Sequence, residues 1–496
     1  MSSIPWKELE HLPGKEQRAL QNELLKQFVQ KRLYPFSAYY RALFDETGID
    51  PKQIRCVEDL ARLPLTSKKD LLPSEEDPER SRRMVLAPDK DLIDQHWGLL
   101  DRLPLLLKAL TKGKAAVLED LRREYYPIFM TFTTGRSAQP VPFLYTKHDL
   151  EELEASGIRL NALLGFHRNW RVLNLFPYAP HLAFWQVAMA GFAGGNMVLG
   201  TGGGKVAGTE GNLRGMDRLQ PEALVGVPGY LYHILREARN RGMRMPQVKT
   251  IVLGADTVPP GLKIKLATLL AEMGAEDIDI LGTYGFTEAR MAFAECPTKD
   301  GSSSGYHFYP DKGIFELIDP ESGEVLPMEA DGELVYTPLA GRGTTVFRYR
   351  TGDLVLGGIQ TGPCPHCGRT LPRINAQLRR ASSVTNLDLK KIKGTLVNME
   401  EIGQVLADDL EIEEWQVEIR KKDNDPHEVD ELILYVSIRR SAEIATVRER
   451  LRKEIKARTE VTPNEILPLP LEQLLHRVGM EREMKEKRFV DARAQG

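Results

Sequence analysis

Four short stretches hold residue types suited to binding and activating anions. They read TFTTGRS at 131–137, LGTYGFTEAR at 281–290, FRYRTGDLV at 347–355 and MKEKRFVDAR at 484–493. In the first, Thr131, Thr133 and Thr134 offer hydroxyl donors to phosphate oxygens, Gly135 lets backbone come close, and Arg136 supplies a cation. Taken alone, the same residues fit a polar turn between two strands. In the third stretch, Asp353 carries two acceptor oxygens, which suits a vicinal diol; a charged hairpin turn is the plain alternative. Glu288 in the second can hold a divalent cation against phosphate oxygens, or stand solvated at a strand end. A further pattern, Cys364-Pro-His-Cys367, is half of a zinc knuckle or a reduced cysteine pair in a turn. The Gly-rich TGGGKVAG at 201–208 fails the phosphate-loop pattern. No Gly stands five positions before Gly204, and Val206 occupies the place of a Mg²⁺-binding hydroxyl, so it reads as a flexible loop.

These residues need elements to position them. The chain has 496 residues, 42% apolar and 28% charged, with a formal charge of −3. That length accommodates two or more domains of a soluble globular protein. The near-neutral charge gives no sign of a nucleic-acid partner. MSSIPWKELEH lacks the apolar region of a signal peptide, and no apolar run is long enough to span a membrane. With only four Cys, a reducing compartment is expected, with the cytoplasm as its natural location. A homodimer is compatible with these features and nothing in the sequence requires one.

Helical periodicity runs through 6–48, and Thr66 or Ser67 can cap the helix that follows them. The charged, Pro-broken stretch 74–90 reads as a surface excursion, and LLDRLPLLLKALTKGKAAVLEDLRREY as helical. From 170 onward strands alternate with helices: WRVLNLFPY, GNMVLGTG, ALVGVPG, KTIVLGAD and IDILGTYG. That order predicts a parallel sheet with crossover helices. Antiparallel strands follow through GIFELIDPESGEVL, which turns at Pro320–Gly323, then GELVYTPL and TTVFRYRTGDLVLGG. Beyond 378 the chain turns basic and polar. WQVEIRKK and ELILYVSIRR then alternate like strands, and Ile444, Val447, Leu451 and Ile455 share one helical face. The predicted fold is α/β, with a large domain at 1–377 and a small α+β domain at 378–496.

The four motifs, in this order, resemble those of the adenylate-forming acyl- and aryl-CoA synthetase superfamily. Within it, ARLPLTSKKDLL, AEC, YHFYPDKGIFELIDPESGEVL, RYRTGDL and CPHCGRTLPRI resemble the phenylacetate–coenzyme A ligase-like family in order, over roughly residues 20–495. The resemblance implies a large domain with mixed sheets and a small mobile lid. It implies ATP and Mg²⁺ as cofactors, acyl-adenylate formation on a small carboxylate, and transfer to coenzyme A with release of AMP and pyrophosphate. A carrier-protein thiol or an amine is the alternative acceptor, and a homologue that binds without turnover is the third reading.

By the same resemblance, residues 131–136 are the phosphate loop, and Gly254, Ala255 and Asp256 line one face of adenine. Tyr284, beside Gly285, lies against the base. Thr287 binds phosphate or acyl carboxylate, Glu288 accompanies Mg²⁺, and Asp353 takes both ribose hydroxyls, with Arg369 facing the same region. Lys485 matches the catalytic lysine of the lid, with Lys487 as competitor. Tyr178, His181, Phe184 and Ala289 fall in segments that line the acyl pocket. The hinge falls near 375–395, with Arg380 and Asp388 as candidates and Gly394 just beyond. Cys296 and His307 join Cys364 and Cys367 as candidate ligands of a structural Zn²⁺, His366 being the rival fourth. Two departures stand out: Phe132 replaces a glycine, and Arg136-Ser137 replaces Lys-Pro.

Overall fold

The computed structural model describes residues 4–74, 77–133, 140–380, 389–392, 395–424, 428–483 and 486–493. Thr134, Gly135, Arg136, Asp388, Gly394 and Lys485 lie outside the described residues, as does the side chain of Arg380. The chain forms two compact units, the first from 1–170, 179–197 and 281–378, the second from 171–178, 198–280 and 379–496.

In the first unit the helical N-terminal stretch breaks at Pro13 and at Ser37, which caps the helix Ala38–Thr47 by accepting from the Tyr40 N–H. Ser67 caps the next start in a reciprocal box with Asp70. The opening motif is the end of a hairpin: Pro127–Phe132 pairs antiparallel with Pro142–Thr146. Thr146 then caps the helix Lys147–Leu163, with Asp149 completing the box. The strands Asp279–Phe286, Met291–Ala294, Tyr306–His307, Arg373–Ile374 and Ile359–Gln360 are joined in that order as antiparallel neighbours. A second antiparallel layer follows the expected turn: Val325–Leu326 and Gly332–Pro338 flank Gly313–Ile318, and Tyr349–Val355 lies beyond.

In the second unit Arg171–Asn174, Ala223–Gly226 and Thr250–Leu253 pair in parallel, with the helix Pro228–Asn240 crossing between the last two and the helix Pro260–Glu272 following the third. The strands are mostly apolar because both faces are covered: Leu224, Ile251 and Leu253 are buried with Ile234, Leu266 and Leu270 of the helices. Residues after 397 bury a core of their own. Val417, Leu434, Val436, Val447, Leu451 and Ile455 are all fully buried between a four-stranded sheet and the helices Met399–Asp408 and Ile444–Thr459. Each such side chain contributes about 1.5–3 kcal/mol. The helix Pro260–Glu272 receives this part of the unit through polar contacts: Lys265 Nζ donates to the carbonyls of Ala407 and Ile412, and the Gly261 N–H donates to Asp408. Burial pushes the Lys265 ammonium down to about 8.

The Gly-rich 201–208 stretch is not a flexible loop. It opens the helix Gly203–Leu219, which breaks at Gly208, where φ is 63°. Gly203 lies at φ 69°, and a Cβ there would meet the Leu175 carbonyl oxygen at 2.7 Å, so glycine is required on two grounds.

Candidate active site

The strand Asp279–Phe286 and the strand Tyr349–Val355 each deliver part of the site within the first unit. Tyr284 is buried beside Phe286, Phe293 and Tyr306, the last ring nearly parallel to it at 5.9 Å. Its hydroxyl donates to Asp353 Oδ2 at 2.7 Å. Asp353 is 5% exposed, and its N–H donates to the Thr351 hydroxyl. The carboxylate is thus aimed by a phenol 69 residues away, and two of the sequence motifs meet.

After Gly285, which is exposed, the chain makes a short 3₁₀ turn at Thr287–Ala289. Glu288 and Ala289 are buried there, while Thr287 is half-buried. Tyr349 donates to Glu288 Oε1 at 2.7 Å, so each of the two motifs supplies the phenol that meets the other's carboxylate. Tyr349 was not singled out from the sequence, although it lies inside the quoted RYRTGD; its spacing from Asp353 gave no hint of a bond to Glu288.

The turn is closed by Arg290 in the left-handed region, φ 58°, a conformation that costs about 1–2 kcal/mol for a side-chain-bearing residue. Arg290 Nη1 donates to Asp149 Oδ1 at 2.7 Å, with both side chains buried. Asp149 also accepts from the N–H groups of Thr146, Arg342 and Gly343. Burial alone would raise its carboxyl, but Arg290 and these amides overcome that and hold it below the usual range. Arg290→Met strands a buried carboxylate and is expected to cost about 3 kcal/mol, the low end for a broken buried pair because the amides remain. Asp149 contributes fully above the unfolded carboxylate value near ~4 and loses its contribution as pH falls through its depressed folded value. Urea melts of parent and variant between neutral and acid pH check both the cost and a shallower acid loss in the variant.

In the described part of the phosphate-loop motif, Thr131 and Phe132 end a strand and Thr133 follows it. Thr131 is fully buried with its hydroxyl 3.1 Å from that of Tyr145, whose phenol burial pushes well up. The Thr133 hydroxyl accepts from the Val141 N–H at 3.1 Å. Phe132 donates its N–H to the Pro180 carbonyl, and its own carbonyl stands 3.2 Å from His181 Nδ1. His181 precedes the helix Leu182–Gly194, on which Phe184 and Trp185 meet edge to face at 5.6 Å. Trp185 continues to Phe129 at 5.5 Å.

Arg369 is committed elsewhere in the unit, to Glu10 at 2.5 Å and the Ala162 carbonyl at 3.3 Å. Nearby, the ligand atoms of Cys296, His307, Cys364 and Cys367 all lie within 4.8 Å of one another. Cys296 and Cys364 sulfurs are 3.9 Å apart, and Cys367 Sγ is 3.7 Å from His307 Nε2. His307 Nδ1 stands 3.1 Å from the Ala294 carbonyl, which fixes that nitrogen as the protonated one and leaves Nε2 to ligate.

In the second unit, Gly254 follows its strand and donates to the Gly226 carbonyl, Ala255 takes φ 66°, and Asp256 accepts from the Thr257 N–H. Tyr178 is 59% exposed. Lys487 pairs with Glu483 at 2.8 Å, and Arg488 pairs with Glu414.

The AMP-binding enzyme family model matches residues 116–347. The chain is 27% identical over 420 residues to phenylacetate-coenzyme A ligase of Thermus thermophilus, covering 84% of this chain and 81% of that one. It is 25% identical over 464 residues to the enzyme of the same name from Aromatoleum evansii, covering 89% and 87%. A solved 2-hydroxyisobutyryl-CoA ligase in the postadenylation state superposes with a TM-score of 0.72 at 18% identity, over 99% of this chain and 94% of that one, a likeness of fold. The chain thus carries a match to the AMP-binding enzyme family over residues 116–347 and is similar along most of its length to phenylacetate-coenzyme A ligases.

Proposed function

We propose that the chain activates an aryl or other apolar carboxylate as its adenylate and passes the acyl group to coenzyme A, releasing AMP and pyrophosphate. The observation that carries this reading is the meeting of Tyr284, Asp353, Glu288 and Tyr349, in which two phenols tie a carboxylate suited to a diol and a carboxylate suited to a cation to the same two segments. Asp353 binds the ribose, Tyr284 and the Gly254–Asp256 turn the base, and Thr134, Gly135 and Arg136 the phosphates. Glu288 is the residue that would hold Mg²⁺, which neutralises phosphate charge when bound. Thr287 orients the carboxylate that attacks the α-phosphate, and Lys485, brought by a lid of residues 378–496, stabilises the charge that develops. Tyr178, His181, Phe184 and Ala289 flank the acyl group. The aromatic run Phe129–Trp185–Phe184 and the names of the curated relatives support an aryl acid and coenzyme A.

Carboxylate-dependent exchange of labelled pyrophosphate into ATP, over a panel of aryl and fatty acids, tests this. Exchange is expected with one acid class, to fall in Lys485→Ala and to persist in Lys487→Ala. No exchange with any acid sinks the reading. AMP release that accelerates with a carrier protein or amine instead of coenzyme A replaces the acceptor.

Cys296, His307, Cys364 and Cys367 fit a structural Zn²⁺. Their mutual distances match the spacing of tetrahedral ligands at about 2.0–2.3 Å from an ion, and the imidazole is already oriented. Elemental analysis is expected to find one zinc per chain. Cys364→Ser should lose most of it and lower Tm by about 5 °C; full Tm without metal refutes the site.

A further inference from the structure

Resting on the assignment of Lys485 above, we infer that Glu481 is a positioning residue, whose carboxylate anchors the chain four residues ahead of that lysine by capping the broken helix at Thr209.

The helix Gly203–Leu219 is interrupted at Gly208, so Thr209 begins a new helical run with unpaired N–H groups. Side chains that cap such starts usually lie just before them in sequence. Here the cap arrives from 272 residues downstream: Glu481 Oε1 accepts from the Thr209 N–H at 2.8 Å and from the Thr209 hydroxyl. The donors run in one direction. Arg236, fully buried, can only donate, and its Nη2 stands 3.3 Å from His233 Nδ1. His233 Nε2 then faces the Thr209 oxygen at 2.9 Å, and the Thr209 hydroxyl donates its hydrogen bond to Glu481. The order requires a neutral imidazole protonated at Nε2. Burial first, then Arg236 beside it, hold the His233 pKa below its ordinary value.

The Gly-rich stretch is shaped to this segment. A Cβ on Gly204 would meet the Tyr230 ring at 2.6 Å and Glu481 Cγ at 3.2 Å. After the lysine the chain is held again. A Cβ on Gly229 would strike Glu486 Oε1 at 2.6 Å and Arg488 Nη2 at 3.0 Å. The Lys487 N–H donates to the Val478 carbonyl at 2.8 Å, and Arg488 pairs with Glu414. Residues 201–209 are therefore a seat for the C-terminal segment, and Glu481 is its directional contact.

The test uses the full chain with Glu481→Ala, Thr209→Val and the conservative Thr209→Ser. Pyrophosphate exchange gives kcat and the KM for ATP, and amide hydrogen exchange followed by mass spectrometry reads peptides covering 205–212 and 476–483. Glu481→Ala and Thr209→Val are expected to lower kcat at least tenfold with KM for ATP within twofold. Thr209→Ser should stay within twofold of the parent, and both peptides should exchange faster in the first two variants only. A kcat within twofold in Glu481→Ala, or unchanged amide exchange, overturns the inference. A parent that shows no pyrophosphate exchange removes the ligase reading alone. The amide measurement still decides the anchor: faster exchange in Glu481→Ala upholds it and unchanged exchange overturns it.

Discussion

Asp353→Ala is expected to lower kcat/KM for ATP in pyrophosphate exchange by about 10³-fold, about 4 kcal/mol. Asp353 is nearly sealed from water and receives the Tyr284 hydroxyl at one oxygen. A hydrogen bond to a charged group contributes about 1.5–3 kcal/mol. Alanine removes two such bonds to the ribose and strands the Tyr284 hydroxyl, so the losses reinforce each other. The ribose does not change between ground and transition states, so the loss should appear mainly in KM. Asp353→Asn keeps one acceptor and should fall between parent and alanine. Tyr284→Phe keeps the carboxylate but loosens its aim, and should cost about tenfold or less. The measurement is exchange velocity against ATP concentration at saturating acid; an Asp353→Ala value within threefold of the parent removes the ribose role.

What was legible in the sequence was local. TYGFTE and RYRTGD hold their carboxylates within a few residues of the backbone features that place them, and the strand order from 170 to 286 follows from apolar runs and turn residues. Thr146 and Asp149 have the spacing of a capping box, so Asp149 could have been read as a helix start; its second role, under Arg290, could not. The pairings that make the site are long-range. Tyr284 reaches Asp353 and Tyr349 reaches Glu288, while Arg369 is committed elsewhere, to Glu10 across 359 positions. No periodicity carries such information. TGGGKVAG was misread for the same reason. Glycine-rich sequence has low helix propensity, and the cap that lets Thr209 begin a helical run comes from Glu481. Thr131 and Thr133 carry the right hydroxyls, yet burial in a hairpin turns them to Tyr145 and Val141.

Glu288→Gln is expected to lower kcat of exchange by about 10³-fold with little change in KM for ATP. The amide is nearly the same size and can still accept from Tyr349, so packing of the buried turn is kept. What changes is charge. A neutral ligand weakens the grip on a divalent cation in a site where burial strengthens electrostatics. That cation matters most as negative charge shifts toward pyrophosphate, so the cost falls on kcat. Tyr349→Phe separates charge from aim: it keeps the carboxylate, removes the hydroxyl held at 2.7 Å, and should cost about tenfold. The Mg²⁺ dependence of exchange decides between the two kinds of loss. A Glu288→Gln enzyme restored to parental rate by raising Mg²⁺ has lost affinity only. One that stays about 10³-fold slow at saturating Mg²⁺ has lost the carboxylate's part in the chemical step. A variant at parental rate and parental Mg²⁺ dependence would assign Glu288 to the fold, as the partner that Tyr349 needs when buried.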